Sequence, residues 1–168
     1  MGLNIIRTDS VRDMALASSG ITPPKDWGNV EQVRAAKRQE IGAACSAAIY
    51  AGVEMDGRRY SLTEHDQTEI MAQYATVKEG AAAVPYHADG ELCRMYPAEE
   101  FAALAQAATA HVFYHRTYCN HVNAWIARAG LEELTGITYG TELPEDLAQR
   151  MAAILAAVGG DNGAPAKP

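Results

Sequence analysis

Three residues that can bind zinc recur at every fourth position in one segment: His111, His115 and Cys119. A step of four residues places side chains on one face of an α-helix, and imidazole and thiolate are common zinc ligands. However, the three positions span about 12 Å of helix, which is too far for one ion to contact all of them. We therefore predict no metal site and expect the histidines to form hydrogen bonds across a helix contact. A two-ligand site completed by another chain or element is the alternative.

A second polar group follows Thr63. His65 and Asp66 have the chemistry of a base and its orienting acid, but adjacent residues on a helix face different ways. Thr63 with Asp66 three residues later also matches the capping box that begins a helix. We predict a helix start at this position and no catalytic pair.

The cysteines Cys45, Cys93 and Cys119 are odd in number and widely spaced. This pattern is typical of a reducing compartment and not of a disulfide framework. A nucleophilic thiol needs a low pKa and a neighbouring base, and only Cys119 has histidines at helical distance. Inert, buried thiols explain all three, and no glycine-rich phosphate-binding pattern occurs in the sequence. We predict no enzyme activity and no cofactor.

The charge balance argues against two classes of partner. Fourteen Lys and Arg against twenty-one Asp and Glu give a net charge of -7, and the basic residues cluster only as the pairs 37–38 and 58–59. A phosphate backbone needs many clustered cations, so we predict no nucleic-acid partner. The sequence contains no apolar run of about eighteen residues and its N-terminal apolar stretch is short, so we expect no membrane span and no secretory signal.

Helix and turn signals alternate along the central part of the chain. Asn29 is suited to cap a first long helix that runs to Gly52. Asp56-Gly57 predicts a hairpin between 53–55 and 60–62, because this dipeptide adopts positive φ readily. Thr63 then begins a second helix, which ends at Gly80.

The same logic predicts a second hairpin, with strands at 84–87 and 92–96 around Asp89-Gly90. Pro97 with acidic residues in the following turn predicts the start of a third helix, which runs to about residue 129. After it we predict a helical turn at 131–134, a short strand at 137–139 and a last helix at 144–158.

The third helix has an uninterrupted apolar seam with steps of three and four, the spacing of helix-helix contacts. We predict that six residues of this seam contact a partner: Phe101, Leu104, His111, His115, Tyr118 and Trp125. Tyrosines on the predicted hairpins suit either an interface or core packing. The sequence leaves these two roles for the tyrosines open.

Together these signals predict a mainly α protein with two small β-hairpins, an α+β class. Along the chain its core consists of a helix, a hairpin, a second helix, a second hairpin and a long helix. A C-terminal helix follows the core. We predict four segments: an N-terminal arm or linker at 1–28, a core domain at 29–129, a helical extension at 130–159 and a disordered tail at 160–168.

Several motifs together resemble a family. They are RAAKRQEIGAACSAAI at 34–49, YSLTEHDQ at 60–67, VPYHADGE at 84–91, and the helix around Ala110-His111 and Tyr118-Cys119-Asn120. In this order they resemble an uncharacterised domain of bacteriophages and prophages, of unknown function and often encoded among tail and tail-fibre genes. The resemblance covers about residues 30–128. It implies a tail component or a tail-fibre assembly factor, and no catalytic residue, ligand or activity.

We therefore expect a non-enzymatic structural or interaction protein of a phage or prophage tail, at the tail tip or fibre attachment. Its partners would be other tail or fibre proteins and, because such proteins assemble as symmetric copies, a homo-oligomer. It would occupy the host bacterial cytoplasm during assembly and then the virion tail. One alternative is an assembly chaperone that is absent from the mature virion. A further alternative is a small metal-binding protein that uses His111, His115 and Cys119.

Overall fold

A computed structural model describes residues 8–158, which form six helices and two antiparallel two-stranded sheets. The helices are α1 Thr8–Ser18, α2 Val30–Tyr50, α3 Glu64–Lys78, α4 Ala98–Arg128, α5 Leu131–Gly136 and α6 Glu145–Val158. The strands are β1 Val53–Met55, β2 Arg58–Tyr60, β3 Ala83–Tyr86 and β4 Arg94–Pro97. The predicted class, mainly α with two small hairpins, is confirmed. The predicted tail at 160–168 and the start of the predicted arm lie outside the described residues.

Within the described residues, the fold contains two compact units. The first comprises residues 8–44 and Cys119–Met151, and the second comprises Cys45–Tyr118 and 152–158. Helices α2 and α4 each contribute to both units. The units are therefore discontinuous along the chain, whereas the predicted segments are contiguous. No helix in residues 8–158 is long and apolar enough to cross a membrane.

Basic side chains of α2 stabilise the first unit. Arg34 Nη2 donates to the carbonyl of Ala129 at 2.9 Å, and Lys37 Nζ donates to the carbonyl of Ile137 at 2.9 Å. Both carbonyls follow the end of a helix, where no intrahelical donor remains. Around these bonds the unit has an apolar core of Ile21, Val33, Ala36, Ile41, Val122, Ile126, Leu134, Ile137, Leu143 and Leu147.

The strand predicted at 137–139 is wrong. Ile137 is the C-cap of α5 and is buried, and the following residues form a turn. In this turn the backbone N–H of Thr141 donates to the carbonyl of Thr138 at 3.1 Å. The Ile137 carbonyl accepts from the distant Lys37 and the Thr138 carbonyl accepts within the turn, so the segment does not pair as a strand.

The start of α2 agrees with its prediction. The first hairpin turns at Asp56-Gly57 as predicted, but its second strand is Arg58–Tyr60 and not 60–62, because the strand begins directly after the two-residue turn. Asn29 Oδ1 accepts from the backbone N–H groups of Glu31 at 3.1 Å and Gln32 at 3.2 Å, which is N-capping. In the second unit, β1 pairs with β2, and Asp56 and Gly57 between them have φ of 51° and 71°. Positive φ at both positions is the geometry of a type I′ turn.

Helix α3 is capped at both ends. Thr63 Oγ1 accepts from the backbone N–H of Asp66, and the Asp66 carboxylate accepts from the backbone N–H of Thr63 at 2.9 Å. The predicted capping box is therefore confirmed. At the other end Gly80 has φ of 105°, and Ala81 N donates to the carbonyl of Thr76 at 3.2 Å, which is a Schellman arrangement.

The second hairpin is shorter than predicted at its tip. Its strands are β3 and β4, and residues 87–93 form a loop between them. The predicted strand at 92–96 begins only at Arg94. The physical reason lies at Asp89, whose backbone N–H donates to the carbonyl of Arg59 at 2.9 Å. The loop thus docks on the first hairpin and does not close directly onto its own strands.

Gly52 is the position where the fold tolerates no side chain. It has φ of +77°, and an added Cβ would lie 1.9 Å from the carbonyl oxygen of Tyr60 and 2.8 Å from the Cα of Ser61. We expect Gly52→Ala to lower the free energy of unfolding by about 3 kcal/mol or more, because the backbone between α2 and β1 must move. Urea titration followed by circular dichroism measures this change.

Gly42→Ala is the matched control, since Gly42 lies inside α2 and an added Cβ meets nothing within 4 Å. Alanine has the higher helix propensity, so this variant should gain about 0.5–1 kcal/mol. Equal stability of the two variants would contradict the assigned close approach.

Candidate interaction site

The Asp89 side chain joins the two hairpins. Its Oδ1 accepts from the backbone N–H of Ser61 at 3.0 Å, and its Oδ2 accepts from the Ser61 hydroxyl at 2.6 Å. Arg59 Nε lies 3.8 Å from Oδ2. Burial opposes ionisation of Asp89, but the hydrogen bonds from Ser61 and the charge of Arg59 outweigh it and hold the carboxyl pKa below its usual value. The charged carboxylate therefore fixes the loop 87–93 against the end of β2.

A cluster of buried aromatic rings lies in the same unit: Tyr60, Tyr86, Tyr96 and Phe101. The rings of Tyr86 and Phe101 meet edge to face with centroids 5.4 Å apart, and the hydroxyls of Tyr60 and Tyr96 are 3.2 Å apart. Burial, together with the hydrogen bond to Tyr96, raises the pKa of Tyr60 to about 12. The structure thus assigns these hairpin tyrosines to core packing, the role that the sequence left open beside an interface.

Arg94 covers this aromatic cluster. Its guanidinium carbon lies 3.6 Å from the centroid of the Tyr96 ring, a cation–π contact, and its Nη2 pairs with the Glu100 carboxylate. The hydrogen bond from Arg94 holds the pKa of Glu100 below its usual value. Arg58 Nε and Glu91 Oε1, 3.2 Å apart, add a second link from the first hairpin to the loop. The contacts of Asp89 and Arg58 therefore hold the two hairpins together as one surface, which we call the braced platform.

The outer side of the second hairpin exposes apolar residues. We call it the hairpin face and define it as Pro85, Leu92, Cys93, Met95 and Pro97, all of them exposed. The expected burial of the thiols is therefore wrong for Cys93, whereas Cys45 is buried and Cys119 is half-buried. Pro85 and Met95 are directly opposed in the strand register. Met95 is 58% exposed and Leu92 is 92% exposed. Pro97 lies on the same side of the ladder as Pro85 and Met95, and Leu92 and Cys93 lie in the adjoining loop. Several exposed apolar side chains on one hairpin are typical of a protein contact site.

The edges of this hairpin are poor templates for an added strand. Ala98 N donates to the carbonyl of Ala82 at 2.9 Å. Hydrogen-bonded pairs alternate along an antiparallel ladder, so Pro85 and Pro97 occupy non-hydrogen-bonded pairs and their nitrogens face the free edges. Proline carries no N–H, which removes a donor from each edge. A partner would therefore contact side chains of the hairpin face and would not extend the sheet.

None of the six seam residues predicted to contact a partner is fully exposed. Four are buried by the chain itself, namely Phe101, Leu104, His115 and Tyr118. His111 and Trp125 are half-buried, and Trp125 Nε1 donates to the Glu133 carboxylate. The seam therefore supplies intramolecular core, and the surface open to a partner in the second unit includes the hairpin face.

His111 forms a hydrogen bond inside the protein through a ring nitrogen. His111 Nε2 lies 3.0 Å from the carbonyl of Ala48, which only accepts, so this nitrogen carries the proton. The predicted hydrogen bond across a helix contact is thus present for His111. Cys119 belongs to the first unit, where its sulfur accepts from Asn123 Nδ2 at 3.5 Å. No group of three metal-ligating side chains occurs in residues 8–158.

The hairpin face was missed from the sequence, although a signal for it was present. Met95 alternates with Arg94 and Tyr96, and the alternation of a two-stranded ribbon places Met95 on the side opposite Tyr96. The apolar periodicity of the sequence is strongest in the longer helical seam, so it indicates the seam and not the hairpin. Burial distinguishes the two surfaces, and burial is a tertiary property.

Comparison with protein families places residues 32–139 in the domain of unknown function DUF4376, more than half of the 168 residues. The chain belongs to the DUF4376 family. No curated protein and no solved structure matches it. The DUF4376 match contains both hairpins, Asp89 and the aromatic cluster, whereas α6 lies beyond it. The predicted membership in a family of unknown function, expected over about 30–128, is confirmed.

The Asp89 contacts of this DUF4376 domain lead to a stability prediction. We expect Asp89→Ala to lower the free energy of unfolding by about 1–2 kcal/mol, because Ser61 loses its acceptor. Since the folded pKa of Asp89 is lowered, its charge stabilises the protein above the unfolded pKa, and this contribution is lost as the pH falls through the folded pKa. Urea titrations at several pH values should show the two proteins converging in acid.

Glu54→Ala is the control for this measurement, because Glu54 is exposed on β1 and its side chain makes no hydrogen bond or ion pair within residues 8–158. It should change stability by less than about 0.5 kcal/mol. An Asp89→Ala protein as stable as this control would show that the Ser61 contacts do not hold the loop.

His115 of the DUF4376 domain predicts a loss of stability in mild acid. Burial and the neighbouring His111 lower its pKa from 6.5 to about 4, so below about pH 6.5 the unfolded chain binds the proton more readily. The wild type should therefore lose about 1 to 2 kcal/mol more than His115→Gln between about pH 7.5 and about pH 5. His65→Gln, at an exposed histidine, should lose as much as the wild type; equal losses in all three would contradict a buried neutral His115.

Proposed function

We propose that this chain is a bacteriophage or prophage tail protein that acts by binding other tail or fibre proteins, without catalysis. The tail assignment is supported by the resemblance of its motifs to a domain found among tail and tail-fibre genes. Two of those motifs, 60–67 and 84–91, contain Ser61 and Asp89, which join the hairpins. The residues that carry the resemblance thus build the braced platform.

The observation that carries the binding role is the hairpin face. Leu92 and Met95 are 92% and 58% exposed, yet they stand on strands and a loop braced by the Asp89, Arg94 and Arg58 contacts. A rigid apolar surface loses little conformational entropy when a partner covers it. It gains the burial of apolar area, about 25 cal/mol per Å². This combination favours a docking role over a purely internal one.

The shape of the site indicates the kind of partner. Because Pro85 and Pro97 remove donors from the sheet edges, the complementary surface must supply apolar side chains and not an extended edge strand. We propose that a tail or fibre subunit supplies such a surface at the tail tip or fibre attachment. The protein would be made in the host cytoplasm and carried into the virion tail.

An assembly chaperone is the second candidate, since an apolar face can also shield a partner subunit before the particle is complete. The two roles differ in the finished virion. Quantitative peptide mass spectrometry of purified particles, normalised to a known tail protein, separates them. A fixed small copy number is expected for a tail part. Abundance in the lysate with absence from particles would exclude the structural role, and then either the chaperone role holds or the tail assignment is wrong.

Variants of the hairpin face test the surface in the same assay. We expect the double variant Leu92→Glu with Met95→Glu to reduce the copy number per particle at least about tenfold, because buried charge opposes docking. Met14→Glu is the matched control, since Met14 is 61% exposed on α1, much as Met95 is exposed on β4. Undiminished incorporation of the double variant would exclude the hairpin face as the docking surface.

A further inference from the structure

Helix α6 carries an apolar stripe that loses its cover along the helix. Leu147 and Met151 are buried, but Ile154 is 42% exposed and Val158 is 65% exposed, with Leu155 half-buried between them. These residues recur at helical spacing on one face. The first half of the stripe therefore packs inside the chain, while the second half, which we call the α6 end (Ile154, Leu155 and Val158), is open.

The second unit has an open groove along α3 and α4. It encloses about 250 Å³ and is lined by Gln67, Ile70, Met71, Ala108, Thr109, Val112, Phe113 and Arg116. Met71 on its rim is 51% exposed. Apolar residues at steps of three and four on two helices form the kind of groove that accepts the apolar face of a third helix.

We infer that two copies of this chain associate by placing the α6 end of each in the α3–α4 groove of the other. In a single chain Met71 and the α6 end are both exposed, so neither covers the other. The α6 end rises about 6 Å, so it is short enough to lie within the groove, which extends about 12 Å along α4. A reciprocal exchange closes on itself and forms the contact twice, as expected for a twofold dimer.

Charge complementarity sets the direction of the docked helix. Arg116 lies at one end of the groove, 3.3 Å from the Gln67 amide oxygen. Helix α6 has no basic residue in its last turn, so the partial negative charge of its C-terminal carbonyls has no cation on the helix itself. Arg116 supplies that cation when the C-terminus of α6 points toward it.

This association is independent of the tail assignment, because it involves only the α6 end and the groove, and not the hairpin face. The α3–α4 groove also contributes the cation of Arg116, whereas the hairpin face is defined by apolar residues. Variants at the hairpin face should leave self-association unchanged, and variants in the groove should leave the hairpin face intact. Failure of either proposal is therefore visible separately.

Sedimentation velocity of the full chain at about 100 μM tests the inference. We expect the wild type to sediment as a dimer of the 18.0 kDa chain. Met71→Glu and Ile154→Glu should each weaken dimerisation at least about tenfold, because each buries a carboxylate in an apolar contact. Arg116→Gln should weaken it less and remove part of its salt dependence.

Complementation makes the test specific. An equimolar mixture of Met71→Glu and Ile154→Glu retains one intact groove and one intact α6 end, so it should form a heterodimer that neither variant forms alone. Met14→Glu and Leu92→Glu are exposed controls that should dimerise like the wild type. A monomeric wild type, a mixture without heterodimer, or loss of the dimer in Leu92→Glu would each overturn the inference.

Discussion

The arrangement of the hairpins depends on one carboxylate. Asp89 accepts both hydrogen bonds that Ser61 donates, and its backbone donates to the carbonyl of Arg59, so one residue of the second hairpin is bonded to two residues at the end of the first. A two-stranded hairpin is marginal by itself in water. Joined in this way above a buried aromatic cluster, the two hairpins of the second unit stabilise each other.

The first unit uses a comparable device with the opposite charge. Arg34 and Lys37 on α2 donate to carbonyls that follow α4 and α5, and Arg128 pairs with Asp146 at the start of α6. Helix ends leave carbonyls without intrahelical donors, and such groups are costly when buried. In both units, therefore, a charged side chain satisfies backbone groups at a junction between elements.

The apolar surfaces of the molecule divide by role. Most side chains of the long α4 seam are buried in the core, whereas those of the hairpin face and the α6 end are mostly exposed. This division explains why periodicity was a poor guide to the interaction surface. Periodicity reports that a helix has an apolar stripe, but the same stripe serves equally well inside a chain or between chains.

Most of the secondary structure could be predicted from the sequence, because helix caps and turn dipeptides act on nearby residues. Asn29, the Thr63–Asp66 capping box and Asp56-Gly57 act through neighbours two to four residues away, so their elements could be predicted. Only the tertiary structure decided that Tyr60, Tyr86 and Tyr96 pack inside, that residues 137–139 turn, and that the seam is buried. These outcomes depend on partners far away in the chain, such as Tyr96 for Tyr60 and Lys37 for the Ile137 carbonyl, which local spacing does not encode.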